Sequence, residues 1–162
     1  MSRYLIAIGA AVLLSGLAAY IALPSGGPGV LADHALRPDD SRLVALGSTI
    51  YVENCASCHG ALLEGQANWR ARDADGRLPA PPHDETGHTW HHPDSYLFLL
   101  TKYGIEAMIG RPYPNNMPAY EDDLSDEQII AVLSYIKSRW PDQVRRRHDQ
   151  INDRAAARQE KG

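Results

Sequence analysis

Apolar positions follow two different rhythms along this 162-residue chain. The first is continuous. Residues 4–23 carry no charge, and Ser15 is the one clearly polar side chain among them. Twenty helical residues reach about 30 Å, the hydrocarbon thickness of a bilayer, so the run predicts a transmembrane helix. A cleaved export signal is the alternative. Its apolar region is normally shorter, and the small residues Ala18, Ala19 and Ala22 lie inside the run beside bulky Tyr20 and Ile21. Arg3 on the short leading side places the rest of the chain outside the cytoplasm. Residues 24–30, PSGGPGV, then read as a flexible tether.

The second rhythm is helical. Asp40 or Ser41 caps a helix expected to run to about Asn54, with Leu43, Val44, Leu46, Ile50 and Tyr51 on its apolar side. Gly47, one turn before Tyr51, leaves a notch where another helix can approach. Residues 64–90 are rich in Pro, Gly, Asp and Arg and predict a long loop. Pro93, with Asp94 in the first turn, opens a helix through Tyr103, and Gly104 is its expected stop. A proline-rich loop follows at residues 111–118. Ser125 and Gln128 have capping-box spacing, and Ile129, Val132, Leu133, Ile136 and Trp140 then fall on one face. Pro141 ends that helix. Beyond it the chain is polar, alanine-rich and net basic, compatible with a helix but without an apolar stripe wide enough to dock strongly. There is no internal repeat and no alternating strand pattern.

The organisation expected is therefore an anchor or uncleaved signal at residues 1–23, a flexible linker at 24–40, one all-α domain at 41–141 and a polar basic tail at 142–162. Composition fits this: 44% apolar and 22% charged residues support a packed core. A net charge of −4 argues against a nucleic-acid partner, which calls for a basic surface.

The two cysteines stand three positions apart, in Cys55-Ala56-Ser57-Cys58-His59. They do not make the spread-out set of a disulfide framework; C-x-x-C-H is the attachment signature of c-type haem. Two thiols within about one helical turn can reach the two vinyl groups on one porphyrin edge, and the next side chain then brings an imidazole to the iron. A redox C-x-x-C would follow a strand in a βαβ pattern, which is not visible here. A zinc site needs about four nitrogen or sulfur ligands. Covalent attachment also suits an exported protein, from which free cofactor would diffuse away.

On these residues the chain resembles a class I c-type cytochrome of the mono-haem, membrane-anchored bacterial type. Gly47 and Tyr51 lead into CASCHG, the distal loop reads Pro114-Asn115-Asn116-Met117-Pro118, and the last domain helix reads LSDEQIIAVLSYIKSRW. The resemblance covers about residues 41–141. It implies an all-α cytochrome c fold whose first and last helices cross, with Gly47 and Tyr51 near Tyr135 or Ile136, around one covalently bound haem c. It implies His59 and Met117 as the two iron ligands. A soft thioether favours ferrous iron and raises the reduction potential. Met108 competes for the second position but lacks the Asn-Asn-Met-Pro context. The free N–H of His59 is expected to bond a carbonyl at Pro81 or Pro82.

Three readings compete for His83, His88, His91 and His92: a distal ligand replacing Met117, a second copper or zinc site, and loop packing against the haem edge and the next helix, which is favoured. The Trp90 indole N–H and Arg70, Arg72 or Arg77 are candidate propionate partners.

The function these features imply is single-electron transfer by a periplasmic cytochrome held at the bacterial cytoplasmic membrane. The expected partners are the lipid bilayer and membrane redox complexes: a quinol–cytochrome c reductase or dehydrogenase as donor, a haem–copper oxidase or another reductase as acceptor. The alternatives are a haem-bearing subunit fixed in a larger oxidoreductase, and a sensor or enzyme whose methionine ligand is displaceable.

Overall fold

A computed structural model describes residues 34–161. The expected membrane helix at 4–23 and most of the linker lie outside these residues. Among the described residues, no helix is long and apolar enough to cross a membrane. The regular elements described are all helical: α1 (Ser41–Asn54), the single turn α2 (Ala56–His59), a 3-10 turn (Thr89–His91), α3 (Asp94–Ile109), α4 (Asp126–Ser138) and α5 (Asp142–Gln159).

Helix α1 starts where Asp40 accepts hydrogen bonds from the backbone N–H groups of Arg42 and Leu43, both at 3.1 Å. This satisfies two of the donors that a helix start leaves open. Its buried residues, Leu43, Gly47, Ile50 and Tyr51, recur at helical spacing on one face. Helix α4 carries the full capping box between Ser125 and Gln128. Ile129 through Ser134 are all buried, as are Ile136 and Lys137, so α4 is the central helix of the domain.

α1 and α4 meet at Gly47. A Cβ placed there would lie 2.0 Å from the Ala131 carbonyl oxygen and 2.9 Å from Tyr135 Cβ, so only glycine permits the approach. One turn on, the Tyr51 and Tyr135 rings lie 5.5 Å apart. The resemblance thus locates the crossing correctly, with Ala131 and Tyr135 as the partners of Gly47.

Helix α3 breaks at Gly104 as expected, at φ 81° and ψ 167°, but then resumes to Ile109. The break frees the Thr101 and Lys102 carbonyls, and the Tyr120 N–H donates to both at 3.1 Å. The kink thereby fastens the end of the 111–118 loop to α3.

The basic tail forms α5 and docks through polar groups. His148 Nε2 donates to the His92 carbonyl at 2.9 Å, Asn152 Oδ1 accepts from the Asp94 N–H at 2.8 Å, and Lys137 pairs with Asp149 at 2.7 Å. His148 is fully buried and meets the Trp140 ring edge-on at 4.9 Å. An apolar stripe is a poor guide to docking where buried hydrogen bonds do the holding.

Candidate haem centre

The motif begins where α1 ends. The Cys55 N–H still donates to Tyr51 O at 2.9 Å, as the last bond of α1. The Cys55 carbonyl then accepts from Cys58 N at 3.1 Å and His59 N at 2.9 Å, which winds the single turn of α2. That turn brings both thiols and the imidazole to one end of α1. Tyr51 fixes the turn from beneath, its hydroxyl donating to Gly60 O at 2.8 Å. The two cysteines form no disulfide with each other, and Cys55 is partly buried while Cys58 is exposed. Burial and the neighbouring Cys58 push the Cys55 thiol up to about 11.

His59 is the buried member, 8% exposed. Its Nδ1 lies 2.8 Å from the carbonyl oxygen of Pro81. A carbonyl only accepts, so Nδ1 carries the proton and Nε2 is left with its lone pair. Burial lowers the pKa of the ring, and the bond to Pro81 offsets part of that shift. A neutral imidazole with Nδ1 tied down and Nε2 available is the form a metal ligand takes. Of the two prolines the sequence offers, Pro81 supplies the carbonyl.

Pro81 reaches this position despite the length of the loop. Gln66 N donates to Ala80 O, and Ala80 N to the Gln66 side chain, each at 2.9 Å. These bonds close residues 67–79 into a side excursion. The chain then returns beside the motif, where Leu63 O accepts from His83 N at 2.7 Å and Asp84 N at 3.2 Å. Trp140, past the end of α4, donates its indole N–H to His83 O at 2.7 Å.

Met117 sits on a separate loop. Asn115 Oδ1 accepts from the Met117 N–H at 3.0 Å, while Asn115 Nδ2 donates to Tyr113 O at 2.8 Å. Three residues beyond Met117, the Tyr120 hydroxyl donates to Asn54 O at 2.8 Å, directly before Cys55. Met117 and Met108 are both partly buried; Met117 is the one whose loop is anchored to the motif.

The histidine loop is a set of stacked pairs. His88 stacks on Trp69 at 5.4 Å, His91 on Trp90 at 3.7 Å and His92 on Tyr96 at 4.6 Å. Among the described residues, no group of three or more His, Cys, Asp or Glu side chains is arranged to hold a metal. The Trp90 N–H donates to Glu85 O at 3.2 Å. Arg70 lies over the Trp69 ring, Arg77 pairs with Asp75 at 3.6 Å, and Arg72 bonds the Gly76 carbonyl and the Tyr113 hydroxyl. Arg72 thus links the side excursion to the loop carrying Met117.

Two contacts near the centre are not specified by the sequence reading, which places His83 only among the loop histidines and does not single out Tyr120. His83 stacks on His59 with ring centroids 3.9 Å apart and planes 23° apart. Tyr120 bonds Asn54. The signal for His83 is its position two residues past Pro81; Tyr120 carries no local signal.

The family model for Cytochrome c matches residues 44–140, from within α1 to Trp140, just past the end of α4. The chain belongs to the cytochrome c family. A cytochrome c carries covalently bound haem c, and this cytochrome's donor set fits that group: two cysteines with C-x-x-C-H spacing that are not bridged to each other, and an imidazole whose Nδ1 is held by Pro81, leaving Nε2 as the donor atom. Cys55 and Cys58 are the residues that would hold the haem edge and His59 the one that would face its iron. The gluconate 2-dehydrogenase cytochrome c subunit of Pantoea cypripedii is similar to this cytochrome, 28% identical over 109 residues. That alignment covers 63% of this chain and 21% of the relative, so the chain spans about a fifth of that protein's length. No solved structure matches the chain.

Proposed function

We propose that this cytochrome is a mono-haem electron carrier of the bacterial periplasm, tethered to the cytoplasmic membrane by residues 4–23. It takes single electrons from a quinol–cytochrome c reductase or a dehydrogenase and passes them to a haem–copper oxidase or another reductase. Haem, when bound, supplies one-electron chemistry at its iron. The observation that carries the reading is the Pro81 carbonyl fixing His59 Nδ1 and leaving Nε2 as the ligand atom. With Met117 as the second ligand, both axial positions are filled by the protein. No position is then open for substrate or oxygen, which favours a carrier over an enzyme. The charge-free run at 4–23 and the Pro-Gly linker support the tether, which keeps the domain at high effective concentration near membrane partners.

Stopped-flow mixing tests this function. The reduced protein is expected to be fully reoxidised by a haem–copper oxidase and the oxidised protein fully reduced by a quinol–cytochrome c reductase. Its reduced spectrum is expected to stay unchanged under carbon monoxide at neutral pH. Carbon monoxide binding would instead favour a displaceable methionine and a sensor or enzyme.

A second reading, a haem-bearing subunit fixed in a dehydrogenase complex, is favoured by the relative's description as a cytochrome c subunit of gluconate 2-dehydrogenase. The polar surface of α5 would then be a docking element. Stable co-purification with a dehydrogenase from native membranes supports this reading, and isolation as a lone chain supports the carrier.

A further inference from the structure

A hydrogen bond to one ring atom sets where that atom points. It leaves the ring free to turn about the line joining it to the acceptor. His59 has one such bond, from Nδ1 to Pro81 O, and by itself that bond does not fix the imidazole plane. A second flat group lying on the ring face does.

His83 is that group. Its ring lies 3.9 Å from the His59 ring with 23° between the planes, closer than most aromatic pairs. His83 is itself held at every polar atom of its backbone and at one of its ring. Its N–H donates to Leu63 O at 2.7 Å, its carbonyl accepts from Trp140 Nε1 at 2.7 Å, and its Nδ1 is hydrogen-bonded to Thr89 Oγ1 at 2.7 Å. The Tyr51 ring closes one side edge-on at 6.5 Å. Pro81 and Pro82, immediately before it, fix two backbone φ angles of the same segment. One short stretch therefore supplies both the carbonyl that directs His59 Nδ1 and the face that sets its plane.

We infer that His83 is a positioning residue for the proximal ligand, its stacked ring locking the plane of the His59 imidazole relative to the haem. The inference rests on His59 as an iron ligand, as proposed above. The consequence is specific. The plane of an axial imidazole, together with the lone-pair orientation of an axial thioether, sets the direction of the half-filled iron orbital in the ferric state. That direction orders the paramagnetic shifts of the four haem methyl groups, so that turning the imidazole with the thioether unchanged alters the order.

Proton NMR of the ferric holoprotein tests it, with His83→Phe and His83→Leu beside the wild type. H83F restores a flat face and is expected to keep the wild-type order of the four methyl resonances. H83L removes the face and is expected to change that order, while the near-infrared Met–ferric band persists in both variants. Should H83L take up no haem, H83Q, which keeps a polar partner for Thr89 without a ring, replaces it with the same expected change. An unchanged order in the variant without a ring overturns the inference, and so does a changed order in H83F, because side-chain volume alone would then account for the effect. Failure of the underlying reading shows separately: a wild-type ferric spectrum without low-spin histidine ligation removes both.

Discussion

The hydroxyl of Tyr120 donates to the carbonyl of Asn54 across 2.8 Å, joining the segment after Met117 to the residue before Cys55. Burial raises the Tyr120 hydroxyl to about 12, so it remains a donor throughout the physiological range. The bond closes a ring of chain around the site, running from the motif through α3 and its Gly104 kink to the Met117 loop and back. Tyr120→Phe removes the donor and leaves the packing. It is expected to lower stability by about 1 kcal/mol in urea unfolding of the holoprotein, with the Met–ferric band retained. A loss of the band at neutral pH would mean that the bond holds Met117 in place rather than only stabilising the fold.

Gly47→Ala tests the helix crossing. The added methyl lies 2.0 Å from the Ala131 carbonyl oxygen, which belongs to the backbone of the central helix and cannot turn aside. The gain in helix propensity is about 1 kcal/mol, while forcing apart two packed helices costs about 1–3 kcal/mol or more. A net loss of stability is expected in thermal unfolding. An unchanged or raised midpoint would show that α1 and α4 do not approach as closely as described.

The polar dock of α5 makes stability depend on pH. Burial holds His148 below its ordinary value; Asp94 pulls it part of the way back, and Lys137 lowers it further. A folded-state pKa below the unfolded one contributes stability that is complete above about pH 6.5. As pH falls, the unfolded chain takes up a proton that the folded chain refuses. Stability then drops by up to about 1.4 kcal/mol per pH unit until the folded pKa is passed. Burial also lowers His88 and His92, which add to the same fall. His148→Gln is expected to give a shallower fall between about pH 6.5 and pH 5 in urea titrations. Identical slopes would mean that His148 titrates normally.

What the sequence makes legible here is what depends on local chain. The Ser125–Gln128 cap, the Asp40 cap and the Cys55–His59 turn each need only neighbouring residues, and all are where the pattern puts them. Gly47 is legible because a helix notch has few other uses. The halt at Gly104 is legible too, but not the resumption to Ile109, which depends on Tyr120 capping the freed carbonyls from a distant loop. The same reason hides α5: His148 and Asn152 look like ordinary polar residues until their partners near His92 and Asp94 are in view. At the site, Pro81 and Pro82 are equal in the sequence, and only the return of the chain past Gln66 and Ala80 selects the carbonyl of Pro81. The His83 stack is invisible for a further reason. An aromatic contact leaves no spacing rule when its two members come from different segments.

The central claim is that His59 and Met117 ligate a haem held at Cys55 and Cys58. Optical spectra of the oxidised and reduced protein, recorded beside Met117→Ala, test it most directly. The expected result is a c-type haem spectrum with the near-infrared Met–ferric band in the wild type and loss of that band in M117A. A wild type without the band, or a variant that keeps it, would contradict the assignment and turn attention to Met108 and the histidine loop.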